Sequence, residues 1–175
     1  MYKRQPIIDT DNVLKSKCND YSYWKTRRII GIKNELGWFY SVHMGWWNDE
    51  EEPFIDQWKC IQETLKDPKY REGTIWLMGD FNSQDDVRGE GYDLVLKSGW
   101  KDTYLLAEEK DDGITVAEEI DGWREADGRS KAAKNEKRLD YIFCNTQEEV
   151  RASNVICNGK NAPVVSDHYG VMITV

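Results

Sequence analysis

TIWLMGDFN, residues 74–82, is the stretch on which the fold turns. Thr74–Met78 is a short continuous apolar run, the pattern of a strand covered on both faces. It leads straight into Gly79-Asp80-Phe81-Asn82. A carboxylate and an amide therefore stand just past a buried strand, on a sheet rim, where layered folds assemble their sites. Taken alone, Gly79–Asn82 reads equally as an ordinary strand-to-loop turn.

Upstream, Arg27–Lys33 (RRIIGIK) and Trp38–Met44 (WFYSVHM) read as two strands joined by the Asn34–Gly37 turn, since β-branched and aromatic residues dominate both. A helix is expected next, capped by Asn48 or Asp49, with Glu50, Glu51 and Glu52 complementing its dipole. Its apolar residues Phe54, Ile55, Trp58, Ile61 and Leu65 recur at helical spacing on one face. Downstream, Tyr92–Lys97 is a short helix stopped at Gly99, and the charged, weakly periodic stretch from Glu108 to Lys137 reads as a long surface excursion. Three further strands are expected: Arg138–Cys144 (RLDYIFC), Val150–Cys157 and Tyr169–Val175 (YGVMITV). The pattern predicts a layered α/β or α+β protein with a largely antiparallel or mixed sheet.

The 175 residues fit one domain, and eight Trp within a chain 39% hydrophobic argue against disorder. No apolar run is long enough to span a membrane, and MYKRQPIIDTDN has no apolar signal core. The four cysteines form no C-x-x-C pair, and with only two histidines they argue against structural zinc. Ordinary buried thiols in a reduced, cytoplasmic protein are the expectation. A net charge of −8 leaves little for a basic stripe that would grip nucleic acid, although a bound metal can supply local positive charge. The balance points to a small-molecule substrate rather than a nucleic acid.

The chemistry-bearing residues fall at strand ends. His43 and His168 flank strands, Asp80 and Asn82 lie just past one, and Asp140 lies within another. Carboxylates and amide oxygens are hard ligands suited to Mg²⁺ or Mn²⁺, while imidazole trades protons near neutrality. Asp80, Asn82, Asp140, Asp167 and His168 supply that mix, which phosphoester hydrolysis requires. A carboxylate between Leu139 and Tyr141 in an apolar strand is costly unless paired or functional. Ser166-Asp167-His168 alone could be a turn before the last strand, and His43 alone a satisfied strand histidine.

GDFN (Gly79–Asn82), RLDYIF (Arg138–Phe143) and SDHYGV (Ser166–Val171), preceded by SVHMG (Ser41–Gly45), resemble the successive motifs of the endonuclease/exonuclease/phosphatase (DNase I-like) superfamily. The resemblance implies a layered β-sandwich of mixed, mostly antiparallel sheets flanked by helices, with residues 1–175 forming the C-terminal portion of one such domain. It implies a divalent-metal-dependent phosphoester hydrolase in which water attacks in line. Asp140 would orient His168, Asp167 and Asp80 would bind Mg²⁺ (or Mn²⁺), Asp80 and Asn82 would position the water and the scissile phosphate, and His43 would stabilise the phosphate or the leaving group. YSYWKTRRIIG (Tyr21–Gly31) and GITVAEEIDGWR (Gly113–Arg124) resemble bacterial members related to maltose 6′-phosphate phosphatase. By that likeness Arg27, Arg28, Trp123 and Arg124 would contact a sugar-phosphate substrate, while a core or ion-paired role for them stays open. A nuclease using the same residues on DNA or RNA is the first alternative.

The family's longer N-terminal half, with an early strand ending in Asn and another bearing a metal-binding Glu, has no counterpart before Tyr21. YKRQPI resembles the interior strand that follows those elements, and no residue here takes the place of that Glu. The expectation is a broad exposed apolar face, open to self-association. A second alternative follows: an inactive fragment or interaction module lacking a complete metal site.

Overall fold

The computed structural model describes residues 29–50, 52–117 and 136–175. β1 (Ile30–Asn34) and β2 (Gly37–His43) form an antiparallel hairpin, and α1 (Phe54–Thr64) and a 3₁₀ turn (Pro68–Tyr70) lead to β3 (Ile75–Asp80). α2 (Gly91–Lys97), β4 (Lys101–Asp102), α3 (Thr103–Leu106) and β5 (Glu109–Lys110) follow. β6 (Asp140–Cys144), β7 (Ala152–Ile156) and β8 (Gly170–Thr174) complete the described elements. One sheet has the order β1-β2-β3-β6-β4 and the other β5-β7-β8. Antiparallel pairings dominate, with β2–β3 and β5–β7 parallel. Both sheets are therefore mixed, and helices cover one face of the larger.

Alternation along the strands decides what each face carries. Trp38, Tyr40 and Val42 of β2, Ile75 and Leu77 of β3, and Tyr141 and Phe143 of β6 are buried in one cluster with Phe54, Trp58 and Ile61 of α1 and Tyr92 and Val95 of α2. The indole N–H of Trp58 donates to Ser98 Oγ at 3.0 Å, tying α1 to the end of α2. The opposite face carries His43, Asp80 and Asp140. Across it the smaller sheet approaches, and a small cavity between the sheets is lined in part by Ile142, Ser153, Val155 and Val171.

Several expectations shift. The strand read from Arg27 begins at Ile30, and Arg27 itself lies outside the described residues. β3 runs on through Gly79 and Asp80 instead of ending at Met78. Neither Asn48 nor Asp49 caps α1: the N-cap is Pro53, with no side-chain cap bond. Asp49 Oδ1 instead accepts the Glu52 amide, and the Phe54 amide donates to the Trp46 carbonyl, so Asp49 and Glu52 belong to a turn before the helix. Ile55 is exposed, on the solvent flank of the α1 stripe. The stretch from Glu108, expected as a surface excursion, begins with a strand, β5, and contains Thr115, which is fully buried. Of the described cysteines, all free, Cys144 is buried while Cys60 is exposed, so the thiols are not uniformly core residues. No helix among the described residues is long and apolar enough to cross a membrane. Exposed apolar side chains include Ile30 and Ile32 on β1, Val164 and Val165 before β8, and Met172 on β8.

Candidate active site

Strand register builds the site. His43 stands beside Asp80 in the parallel β2–β3 ladder, and Asp80 stands opposite Asp140 in the antiparallel β3–β6 ladder. One row across three strands thus holds an imidazole and two carboxylates. Like charges placed directly opposite destabilise a sheet, so this pairing works against the fold's own stability. The close approach of β2 and β3 depends on Gly79 (φ 130°), where a Cβ would run into the Val42 carbonyl oxygen.

Past β3 the chain turns sharply. Asn82 adopts a left-handed conformation (φ 45°), which Asn tolerates better than most residues. Its amide donates to Asp80 Oδ1 at 2.8 Å, and its buried side-chain Nδ2 donates to the Met44 carbonyl at 2.8 Å. The loop after β2 is thereby fixed to the loop after β3. Phe81, between the two site residues, buries its ring against Tyr141 and Phe143.

His168 reaches this row from the loop before β8. Its Nδ1 lies 2.8 Å from Asp140 Oδ2, and its Nε2 lies 3.8 Å from Asp167 Oδ2. His43 Nε2 lies 3.4 Å from Asp80 Oδ2, with a side chain 63% exposed. The hydrogen bond to Asp140 raises His168 to about 9 against the opposing effect of burial, helped by the charges of Asp140, Asp80 and Asp167. Burial pushes the Asp80 carboxyl upward and Asp140 adds to it, while the Asn82 amide and the two imidazoles pull it down.

Asp80, Asp140 and His168 offer ligand atoms within 4.8 Å of one another and could hold a metal ion. Hard carboxylate oxygens brought together at a charge cost fit a small divalent cation. Asp167 stands outside that trio, on the far side of the His168 ring. Arg27, Arg28, Trp123 and Arg124 lie outside the described residues.

Two residues that support the site were not singled out from the sequence. Arg138 Nη2 donates to Asp102 Oδ2 at 2.7 Å and its Nε to Asp85 Oδ2 at 3.0 Å, with the guanidinium over the Tyr104 and Tyr141 rings. It anchors the entry to β6 two residues before Asp140, and the signal was its place within RLDYIF. Thr115 accepts from the backbone amides of Leu139 and Asp140, and only the GIT stretch of the sequence marked its position.

No family model matches the chain, and no curated protein does. Solved structures do. An endonuclease/exonuclease/phosphatase family protein from Leptotrichia buccalis C-1013-b is 37% identical, with a TM-score of 0.69, over 93% of this chain and 59% of its own length. A mannosyl-6-phosphatase of Bacteroides thetaiotaomicron VPI-5482 is 17% identical with a TM-score of 0.64, over 96% of this chain and 66% of its own. Truncated Caenorhabditis elegans TDP2 is 16% identical with a TM-score of 0.52, over 91% and 62%. The last two are likenesses of fold alone, and the chain spans less than two thirds of each of the three. With the fold, the motif order and the Leptotrichia relative in agreement, the chain belongs to the endonuclease/exonuclease/phosphatase superfamily.

Proposed function

We propose that the chain carries the hydrolytic site of a divalent-metal-dependent phosphoesterase acting on small phosphomonoesters such as sugar phosphates. The observation that carries this reading is the Asp80–Asp140–His168 cluster, with His168 held to Asp140 at 2.8 Å. Asp80 of that cluster would hold Mg²⁺ or Mn²⁺, with Asp167, which stands outside the cluster beside His168 Nε2, as the second proposed ligand. Such a cation supplies neutralisation of phosphate oxygens and a more acidic bound water.

The protein's own groups do the rest. Asp140 fixes the orientation of the His168 ring and leaves Nε2 to face the reacting group. With His168 raised to about 9, that nitrogen carries a proton at neutral pH and donates to a phosphoryl oxygen. Asn82, locked by Asp80 and Met44, keeps its side-chain oxygen for the attacking water or the substrate. His43, exposed on the same row, donates toward the charge that builds on the phosphate or on the departing oxygen. The catalytic gain is mostly positional and electrostatic.

Two features support a small substrate. The net charge of −8 opposes a nucleic-acid footprint. Trp46, three residues beyond His43, is 47% exposed on a loop braced by its own carbonyl, which accepts from Asp49 and Phe54. An indole face held there suits the flat apolar side of a sugar ring. Arg27, Arg28, Trp123 and Arg124 remain proposed substrate contacts. The test is a matched pair of assays, phosphate release from sugar phosphates and nicking of supercoiled plasmid. Monoester release that outpaces nicking is expected; nicking at an equal rate would place the chain among the nucleases.

A further inference from the structure

Asp140 and His168 belong to different sheets: Asp140 opens β6 in the larger, and His168 lies just before β8 in the smaller. Ladder hydrogen bonds fix positions within a sheet but do not set the gap between two sheets. A 2.8 Å contact across that gap needs a separate strut.

Thr115 has the geometry of one. It is 0% exposed. Its Oγ1 accepts from two consecutive amides, Leu139 N at 3.1 Å and Asp140 N at 3.2 Å. Its own amide donates to the Lys137 carbonyl at 2.9 Å, and its carbonyl accepts from Tyr169 N at 2.8 Å. One residue is thereby bonded to Asp140 itself and to the residue that follows His168. A hydroxyl oxygen has two lone pairs, matching the two donors that converge on it. Gly113, two residues earlier, leaves no room for a Cβ between the Tyr104 ring and the Arg138 stem, so the strut is pressed against the β6 entry.

We propose that Thr115 is the positioning residue that sets the Asp140–His168 pair; the inference rests on the phosphoesterase reading above for its functional meaning. It acts through backbone amides and touches neither substrate nor metal. The decisive atom is the oxygen. Thr115→Ser keeps it, while Thr115→Val keeps the shape and leaves the buried Leu139 amide and the part-buried Asp140 amide without this acceptor.

The experiment is proton NMR of the full chain without substrate or added metal. The readout is the far-downfield Nδ1–H resonance of a histidine bonded to a carboxylate, assigned to His168 by its loss in Asp140→Asn. Thr115→Ser is expected to retain it and Thr115→Val to lose it, with unchanged near-UV circular dichroism in both. In phosphate-release assays Thr115→Val is expected to lower kcat about 10²-fold at unchanged KM, the scale of a small misplacement. Retention of the resonance in Thr115→Val would overturn the proposal, and so would its loss in Thr115→Ser. Should Thr115→Val not fold, hydrogen exchange on the wild-type chain decides. The Leu139 and Asp140 amides are expected to be protected like those inside β6, and exchange at a free-loop rate would overturn the proposal. The resonance does not depend on turnover, so an inactive chain that shows the predicted pattern removes the hydrolytic reading and leaves the role of Thr115 standing.

Discussion

Asp80 and Asp140 face each other across two strands, and His168 bonds the second of them. Replacing Asp140 by Asn removes both the charge and the ionic acceptor that raise His168. The ring is then expected to fall from about 9 toward its ordinary 6.5, as read by an NMR titration of the wild-type and Asp140→Asn chains in metal-free buffer. The same shift sets a slope in stability. Between these values the folded chain holds a proton that the unfolded chain releases, so the contribution is whole below about pH 6.5 and lost as pH rises through about 9. Denaturant midpoints across that window are expected to fall with pH in the wild type and to flatten in Asp140→Asn. Arg138 makes a further residue-scale test. Its side chain is 5% exposed and paired with the more deeply buried Asp102, so Arg138→Ala strands a buried carboxylate. A loss of about 3–5 kcal/mol in denaturant unfolding is expected.

At the scale of elements, α1 is held by its buried face, Phe54, Trp58 and Ile61, with no capping side chain. Trp58→Ala removes a fully buried ring and the indole bond to Ser98, and is expected to cost about 3–5 kcal/mol by urea unfolding. Gly79→Ala is expected to open the β2–β3 seam beside His43 and Asp80, lowering the denaturant midpoint and weakening Mn²⁺ binding together. The strands were legible because alternation and continuous apolar runs depend on the residues themselves. The start of α1 was not: Asn48 and Asp49 look like caps, but the Trp46 carbonyl and Pro53 set the boundary from outside the helix. Thr115 was hidden for a similar reason. Its neighbours Asp111 and Asp112 read as a solvated loop, and Asp112 only closes a local turn onto the Ile114 amide, yet Asp111 Oδ2 accepts the Val155 amide and ties the loop to β7. Of the site, the row His43–Asp80–Asp140 could be named from strand-end positions, but its register could not, because a one-residue slip would send each side chain to the other face.

On the scale of the whole molecule, helices seal one face of the larger sheet, and the site lies on the other, toward the smaller sheet. Exposed apolar residues sit on β1 and β8, which end the strand order of their sheets among the described residues. The chain spans 59% of the Leptotrichia relative's length. The most direct measurement is phosphate release from a panel of sugar phosphates, with and without Mg²⁺, by the wild-type and Asp140→Asn chains. Release is expected to require the cation and to fall at least about 10²-fold in the variant. Release indifferent to Mg²⁺ or to the substitution, or none with any divalent cation, would contradict the phosphoesterase reading.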